Sequence, residues 1–497
     1  MITRSSLALA LALALALGVK PLLAQDPADL AWNAGQHDRA RELYAQRVAA
    51  DSSDVRALHR LGLLRGWNGE YAEATQLFDH LLQLTPGDTA VAHARARVLA
   101  WAGRLGAAER AYRDLLAGNP SNPEALRGLA RVTSWRGDLS AGEALWRKVV
   151  AADPDDVDAR IGLSQLLRWR GQSTAALAEA EAAVRLAPDN RDAQEQLAWA
   201  EAAFAPRIAP AFSAEFDSDD NELITTSLAA TAFIARRVGI TASGYVRSAE
   251  DDRPTVGSVA SRAASLGLRM DAGGGWMVGV AGGVNDRRVP GADVVATYSA
   301  SLATPTWLPL SGSVGYSRSV LDATALLIER GVTIDGADLV FNAQLTPRVR
   351  LETAAVLSRF RGSTDNDRLL ARLGLDARAN SWLRLRPRIR AFWFEDHVSD
   401  GYFNPDFYAL GEMGFGIDRY RGAWAFNGEV APGAQQIGSD GSLKAALSLR
   451  ARVGYSIGPG RDIGLSFDLS NLGIERFETG ATGYRYRAAV ISGAWAL

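Results

Sequence analysis

The chain contains no cysteine, which removes structural disulfides, thiolate metal sites and lipidation at an N-terminal cysteine together. Lysine is almost as scarce. Lys20, Lys148 and Lys444 are the only three in 497 residues, so the positive charge is carried by arginine, within a net formal charge of −2. That balance gives no reason to expect a nucleic-acid partner. Histidine is also rare, and His37, His59, His80 and His93 stand at spacings that match no metal motif. They are expected as solvated or capping residues, with no metal and no cofactor. Past residue 24 no apolar run approaches the ~20 residues of a membrane-spanning helix. If the chain crosses a membrane, it must do so as a closed β-barrel.

What the sequence does have falls into three parts. Arg4, the apolar run from Leu7 to Leu17, then Lys20, Pro21 and Ala24 read as a secretory signal peptide over residues 1–24. Over residues 26–205 a period of 34 follows: Trp67, Trp101, Trp135 and Trp169 recur at it, as do Gly69, Gly103, Gly137 and Gly171, and Pro86, Pro120, Pro154 and Pro188. Thirty-four residues is the length of a tetratricopeptide unit, two helices and their turns, and Leu61-Gly62, Tyr71, Ala74, Phe78 and Pro86 stand in one unit. An earlier copy shows at Gly35, Ala40 and Tyr44, and the segment Asp189 to Phe204 suits a capping helix. This half resembles the tetratricopeptide family, with about five units.

The residue types follow from packing. Glycine ends the first helix of each unit, small Ala74 or Ala108 lets helices approach, and Tyr44, Phe78, Tyr112 or Trp146 fills the space between units. The four periodic tryptophans are expected to pack between units, with stacking on sugar rings as the functional alternative.

From Pro206 the period becomes two. Leu369, Ala371, Leu373, Leu375 and Ala377 alternate with Leu370, Arg372, Gly374, Asp376 and Arg378, and Lys444 to Ile457 behaves alike. Sixteen candidate strands are joined alternately by short turns, such as "ANSW" and "GPGR", and by longer polar connections, such as "FEDHVSDGYFNPD". That alternation, with Trp276, Trp307, Trp382 and Trp424 at the short turns, predicts an outer-membrane barrel over residues 206–497 with the repeats in the periplasm. The fold class expected is an N-terminal α-solenoid followed by an antiparallel transmembrane β-barrel of about 16 strands.

Parity then assigns the arginines. If Leu383, Leu385, Pro387 and Ile389 face lipid, Arg384, Arg386, Arg388 and Arg390 face the lumen, because a charge at the lipid midplane costs about 2–4 kcal/mol. Arg348, Arg350, Arg372, Arg378, Arg450 and Arg452 join them, as does Lys444. Such a ladder would concentrate anions; alternatively, inward acids such as Glu352, Asp376, Glu412 and Asp468 pair with it and fill the barrel with a polar network.

The combination of these parts with "ARVLAWAGR" (Ala96 to Arg104) is similar to the YaiO-type outer-membrane proteins, and to the poly-N-acetylglucosamine export porin and the outer-membrane cellulose-export subunit. The segment Tyr402, Phe403, Asn404, Pro405 is similar to one found in barrels of that group, and "ISGAWAL" resembles the terminal strand read by barrel-assembly machinery. The resemblance implies a porin-like exporter of a polysaccharide, here expected to be anionic, seated in outer-membrane lipid, with repeats docking periplasmic or inner-membrane proteins of a synthesis and export machinery. Two further classes stand beside it: a plugged scaffold that recruits partners through its repeats, and a barrel acyl-modifying enzyme using His397 and Ser399. No enzyme is expected, since one histidine beside Glu395, Asp396 and Asp400 reads as solvated.

Overall fold

The computed structural model describes residues 26–251, 257–380, 382–472 and 484–497. The signal-peptide reading of residues 1–24 and the expected connection 473–483 lie outside them. The chain packs as two compact units that divide between Arg136 and Gly137.

The first unit holds α1 (Pro27–Asn33), α2 (His37–Ala50), α3 (Val55–Trp67), α4 (Tyr71–Leu84), α5 (Thr89–Trp101), α6 (Leu105–Gly118) and α7 (Pro123–Trp135). The second begins with α8 (Leu139–Ala152), α9 (Val157–Trp169), α10 (Ser173–Leu186) and α11 (Arg191–Glu201). The period of 34 is written into the helix ends. Asp54, Asp88, Asn122, Asp156 and Asn190 each cap the first helix of a unit with a side-chain oxygen that accepts a backbone N–H, worth about 1 kcal/mol apiece. Gly69, Gly103, Gly137 and Gly171 follow the same helices with φ between +72° and +85°, a region open to glycine without the strain of a Cβ.

The inter-unit aromatics are fully seated: Tyr44, Phe78 and Trp146 are at most 1% exposed. Trp146 on α8 occupies the space that Gly162 on α9 leaves open, and a Cβ there would stand 2.4 Å from the Trp146 ring. Alanine in a helix interior normally gains up to about 1 kcal/mol over glycine. Here the sign reverses. Gly162→Ala is expected to cost about 1–3 kcal/mol through overpacking, read as a lower urea midpoint of the helical signal, whereas Gly106→Ala, with nothing within 4 Å of the added atom, should not lose stability.

His93 corrects the expectation of solvated histidines. It lies buried in α5, its ring centroid 6.2 Å from that of Tyr112, because a helical period of 3.6 turns position 93 towards α6. Burial holds its pKa below the ordinary imidazole value. The unfolded chain therefore binds a proton that the fold refuses, so stability is complete above about pH 6.5 and falls as the pH drops towards the folded value. The urea midpoint should be lower at pH 5 than at pH 7, and His93→Phe should reduce that difference; His59, shifted the same way by burial, keeps the remainder.

In the second unit the chain continues into sixteen strands: β1 (Arg207–Asp217), β2 (Asn221–Ala235), β3 (Val238–Asp251), β4 (Gly257–Gly273), β5 (Trp276–Arg287), β6 (Val295–Ala303), β7 (Leu310–Val320), β8 (Thr333–Thr346), β9 (Val349–Arg361), β10 (Asp365–Arg378), β11 (Leu383–Phe394), β12 (Tyr408–Arg421), β13 (Trp424–Ile437), β14 (Lys444–Gly458), β15 (Arg461–Ser470) and β16 (Tyr486–Ala496). Each pairs antiparallel with the next, and β1 pairs with β16, closing the barrel. Closure leaves no unpaired edge, which a hydrocarbon environment demands. The outward positions form an apolar belt, including Leu228, Leu266, Leu339, Leu357, Ile389 and Ile491. No helix among the described residues is long and apolar enough to cross a membrane.

Candidate functional site: the barrel lumen and its two mouths

Sixteen strands enclose a space too wide for wall side chains alone to fill. Register divides its wall in two. Through the middle of the barrel the inward positions of β2 to β7 include many hydroxyl-bearing or small residues: Thr231 meets Thr241 at 3.1 Å and Ser243 meets Ser265 at 2.7 Å, and Ser299 and Ser317 continue the series on β6 and β7, while Tyr245 and Arg247 follow on the same face of β3. The inward positions of β9 to β15 carry the charge. One wall is mostly small and hydroxyl-bearing, with Arg247 as a charged exception, and the other is a lattice of ions.

Arg384, Arg386, Arg388 and Arg390 line the charged wall, on the face opposite outward Ile389 and Trp393. Arg384 donates to Asp376 at 2.9 Å and reaches Asp418 at 2.8 Å. Arg386 and Arg388 share Glu429 at 2.6 and 2.7 Å, and Arg388 also donates to Glu412 at 2.9 Å. Arg390 stands over the Tyr408 ring, 5.9 Å from its centroid. Arg450 pairs with Asp468 at 3.1 Å, and Arg452 lies 4.0 Å from Asp462. Arg372 borders a cavity of about 520 Å³ with Arg388, Arg390, Arg450, Glu352 and Glu412. The centre of the ladder is thus an ion-pair network, the second of the two expectations, and not a run of open cations. Glu429 and Asp418, which complete it, were not singled out in the sequence because only register shows that β13 and β12 bring them under β11.

At the end with long connections, two segments fold into the lumen. The segment joining β7 to β8 turns into the barrel and carries a short helix, α12 (Ala325–Arg330). Leu327 and Val332 pack with Phe360, Phe392, Tyr402 and Phe403, while Ala325 and Ile328 pack with Leu223 and Ala249 on the opposite wall. Asp322 anchors the segment: it accepts from Tyr245 Oη at 2.6 Å, Arg247 Nη1 at 2.7 Å and Ser261 Oγ at 2.9 Å. The connection expected as polar and external, between β11 and β12, also folds inward. Tyr402, Phe403 and Asn404 are buried and Pro405 half-buried; Tyr402 stacks on Phe360 at 4.7 Å, and Asn404 Nδ2 donates to the Val398 carbonyl at 2.7 Å. Aromatic residues cannot remain solvated when a neighbouring apolar cluster can take them in, and that overrides the polar half of the segment. His397 and Ser399 stay exposed, with His397 Nδ1 at 3.4 Å from the Asn404 carbonyl oxygen. No group of ligands suited to a metal occurs among the described residues.

At the short-turn end, helices of the same unit meet the rim at four places. Glu181 pairs with Arg236 at the β2–β3 turn, Arg170 donates to the Trp307 carbonyl at 2.9 Å at the β6–β7 turn, Gly137 meets Arg378 near the β10–β11 turn, and Ala202 meets Gly460 at the β14–β15 turn. These turns are spaced four strands apart around the closed barrel, so α8 to α11 lie across that mouth. Arg348 and Arg350 are exposed there, Arg350 donating to Gln344 at 3.2 Å. The periodic tryptophans differ from the packing expectation. Trp67, Trp135 and Trp169 keep 49%, 36% and 44% of their surface, since each ends its helix and only part of its ring meets a neighbour, as Trp67 does on Trp32 at 5.4 Å. Trp101 is half-buried.

This architecture defines a class: tetratricopeptide repeats joined to a closed sixteen-stranded β-barrel of outer-membrane type. More particularly, models described as tetratricopeptide repeat match residues 26–89, 68–132 and 136–191. No curated protein sequence matches the chain. Among solved structures, it is similar to a bacterial polysaccharide outer membrane secretin at 12% identity, over 59% of this chain and 99% of that one, with a TM-score of 0.48. It is also similar to a thermophilic tetratricopeptide-repeat protein of Thermus thermophilus, at 21% identity over 35% and 94% of the two chains, TM-score 0.32. YrrB, a repeat protein with an unusual peptide-binding site, aligns at 20% identity over 34% and 86%, TM-score 0.27.

Proposed function

We propose that the protein is a gated outer-membrane conduit for an exopolysaccharide, with its repeats in the periplasm docking proteins that make or deliver the polymer. The observation that carries this reading is the lumen. Two connections fold into it at one end, and a layer of helices meets the rim at the other. The middle of one wall, rich in serine, threonine and glycine, offers hydroxyl partners, which suits a chain that must slide and leave as readily as it binds. The opposite wall of paired ions keeps the lumen wet without presenting bare charge.

A second reading is favoured by the apolar plug: a permanently closed barrel serving as a membrane scaffold for the repeats. Conductance separates the two. The purified full chain in a planar bilayer should be silent at rest and conduct once the β7–β8 segment is released; a barrel that stays silent after release is a scaffold.

A further inference from the structure

The geometry points to a binding site for an acidic sugar unit, a uronate, at the short-turn mouth. A cavity of about 630 Å³ opens there between the helices and the barrel rim. Its helical side is the turn residues Gly137 and Asp138 and the start of α8 at Leu139 and Ser140, with Trp169 and Arg170, and its barrel side includes Trp307, Arg348, Arg350, Arg378 and Arg384. The aromatic and cationic groups arrive from different parts of the chain. Trp169, the last of the periodic tryptophans, ends α9 with 44% of its surface open, although the neighbouring Arg170 is almost buried and held by Glu143 and the Trp307 carbonyl. The backbone next to the open ring is thus tied to the barrel rim. Trp307 is itself fixed over Gly275, where a Cβ would stand 1.8 Å from its ring.

Charge and shape agree on the ligand. Five of the described lining residues are arginines and two, Asp138 and Asp376, are acids; Arg170 is held by Glu143 and Arg384 by Asp376 and Asp418, so the exposed Arg348 and Arg350 carry the open charge of the site. Asp376 is committed to Arg384 and Arg386, and Asp138 caps α8 by accepting from Ala141 N. Gly137, at φ +85°, leaves the room in which the Arg378 guanidinium lies, since a Cβ would come within 1.7 Å of Nη1. Guanidinium groups match carboxylates in two-point geometry, and an open indole face suits the apolar face of a pyranose. A uronate presents both at once; a neutral hexose offers only the second, and a small organic acid only the first. The site would hold an acidic polymer at the threshold of a lumen whose own ladder is already paired.

This inference rests on the conduit reading for its meaning, but it can be tested separately. The detergent-folded full chain is titrated with oligogalacturonate and with cellohexaose, following tryptophan fluorescence and heat. Oligogalacturonate should bind at least tenfold more tightly than cellohexaose, and Trp169→Ala and Arg348→Gln should each weaken it at least fivefold. Arg348 is exposed in a turn and Trp169 sits at a helix end, so both variants should fold, checked by circular dichroism and by the heat-dependent gel shift of a closed barrel. Arg185→Gln, an exposed charge on α10, serves as the remote control. Equal binding of the two oligomers, or unchanged affinity in both site variants, overturns the site. If the released barrel fails to conduct while uronate binding persists with this pattern, the conduit reading falls and the site stands.

Discussion

Replacing Leu321–Val332 with a short glycine–serine turn is expected to convert a silent barrel into a conducting one, raising bilayer current at least tenfold. The segment is the only connection among the described residues that packs on both the β2–β5 wall and the β9–β14 wall, so its removal takes out the one bridge across the lumen and leaves the β11–β12 connection on the β9–β14 wall alone. A milder variant guards against misfolding. Asp322→Asn keeps the side-chain shape but weakens charge-assisted bonds to Arg247 and Tyr245, each worth about 1.5–3 kcal/mol. Because about 1.4 kcal/mol is a tenfold change in population, that variant should show brief openings where the wild type shows none. Both barrels should retain the heat-dependent gel shift of the folded form. A folded replacement variant without current would refute the conduit.

How much of this was legible in the sequence depends on the range of the interaction. Helix ends are local: Gly69 and its copies mark the stops, and Asp54, Asp88 and Asn122 mark the starts at the same period. Strand faces are local too, since alternation alone places Leu383 and Ile389 opposite Arg384 and Arg388. Charge pairing is not. Glu429 lies two strands from Arg388, and nothing within either strand sets the register that joins them. The plug was missed for a similar reason. Leu326-Leu327-Ile328 is a short apolar run in a connection, and Tyr402-Phe403 another; their meaning appears only when the barrel folds both into one interior cluster. An apolar run between strands where a polar one is expected was the available signal.

The paired wall makes a second, larger demand on a single residue. Glu429 is 8% exposed as a side chain and receives both Arg386 and Arg388, so Glu429→Gln removes the one carboxylate they share and leaves Arg388 to Glu412 and Arg386 to Asp376 at 3.5 Å. Removing one partner of a buried pair typically costs about 3–5 kcal/mol, and because the arginines remain about 30% exposed to the lumen, the lower end, about 3 kcal/mol, is expected. It should be read as a lower urea midpoint for loss of the folded gel form. The Arg386→Met/Glu429→Met pair should recover part of that loss, because apolar replacement of both ions removes the unpaired charge as well as the attraction. On the background with Leu321–Val332 replaced, Glu429→Gln should also shift the reversal potential in a salt gradient towards anion selectivity, since it adds one unit of uncompensated positive charge to the wall. Stability and selectivity should move together. If Glu429→Gln leaves both unchanged, lumen water screens the network, and the arginine wall acts on a polymer as open cations after all.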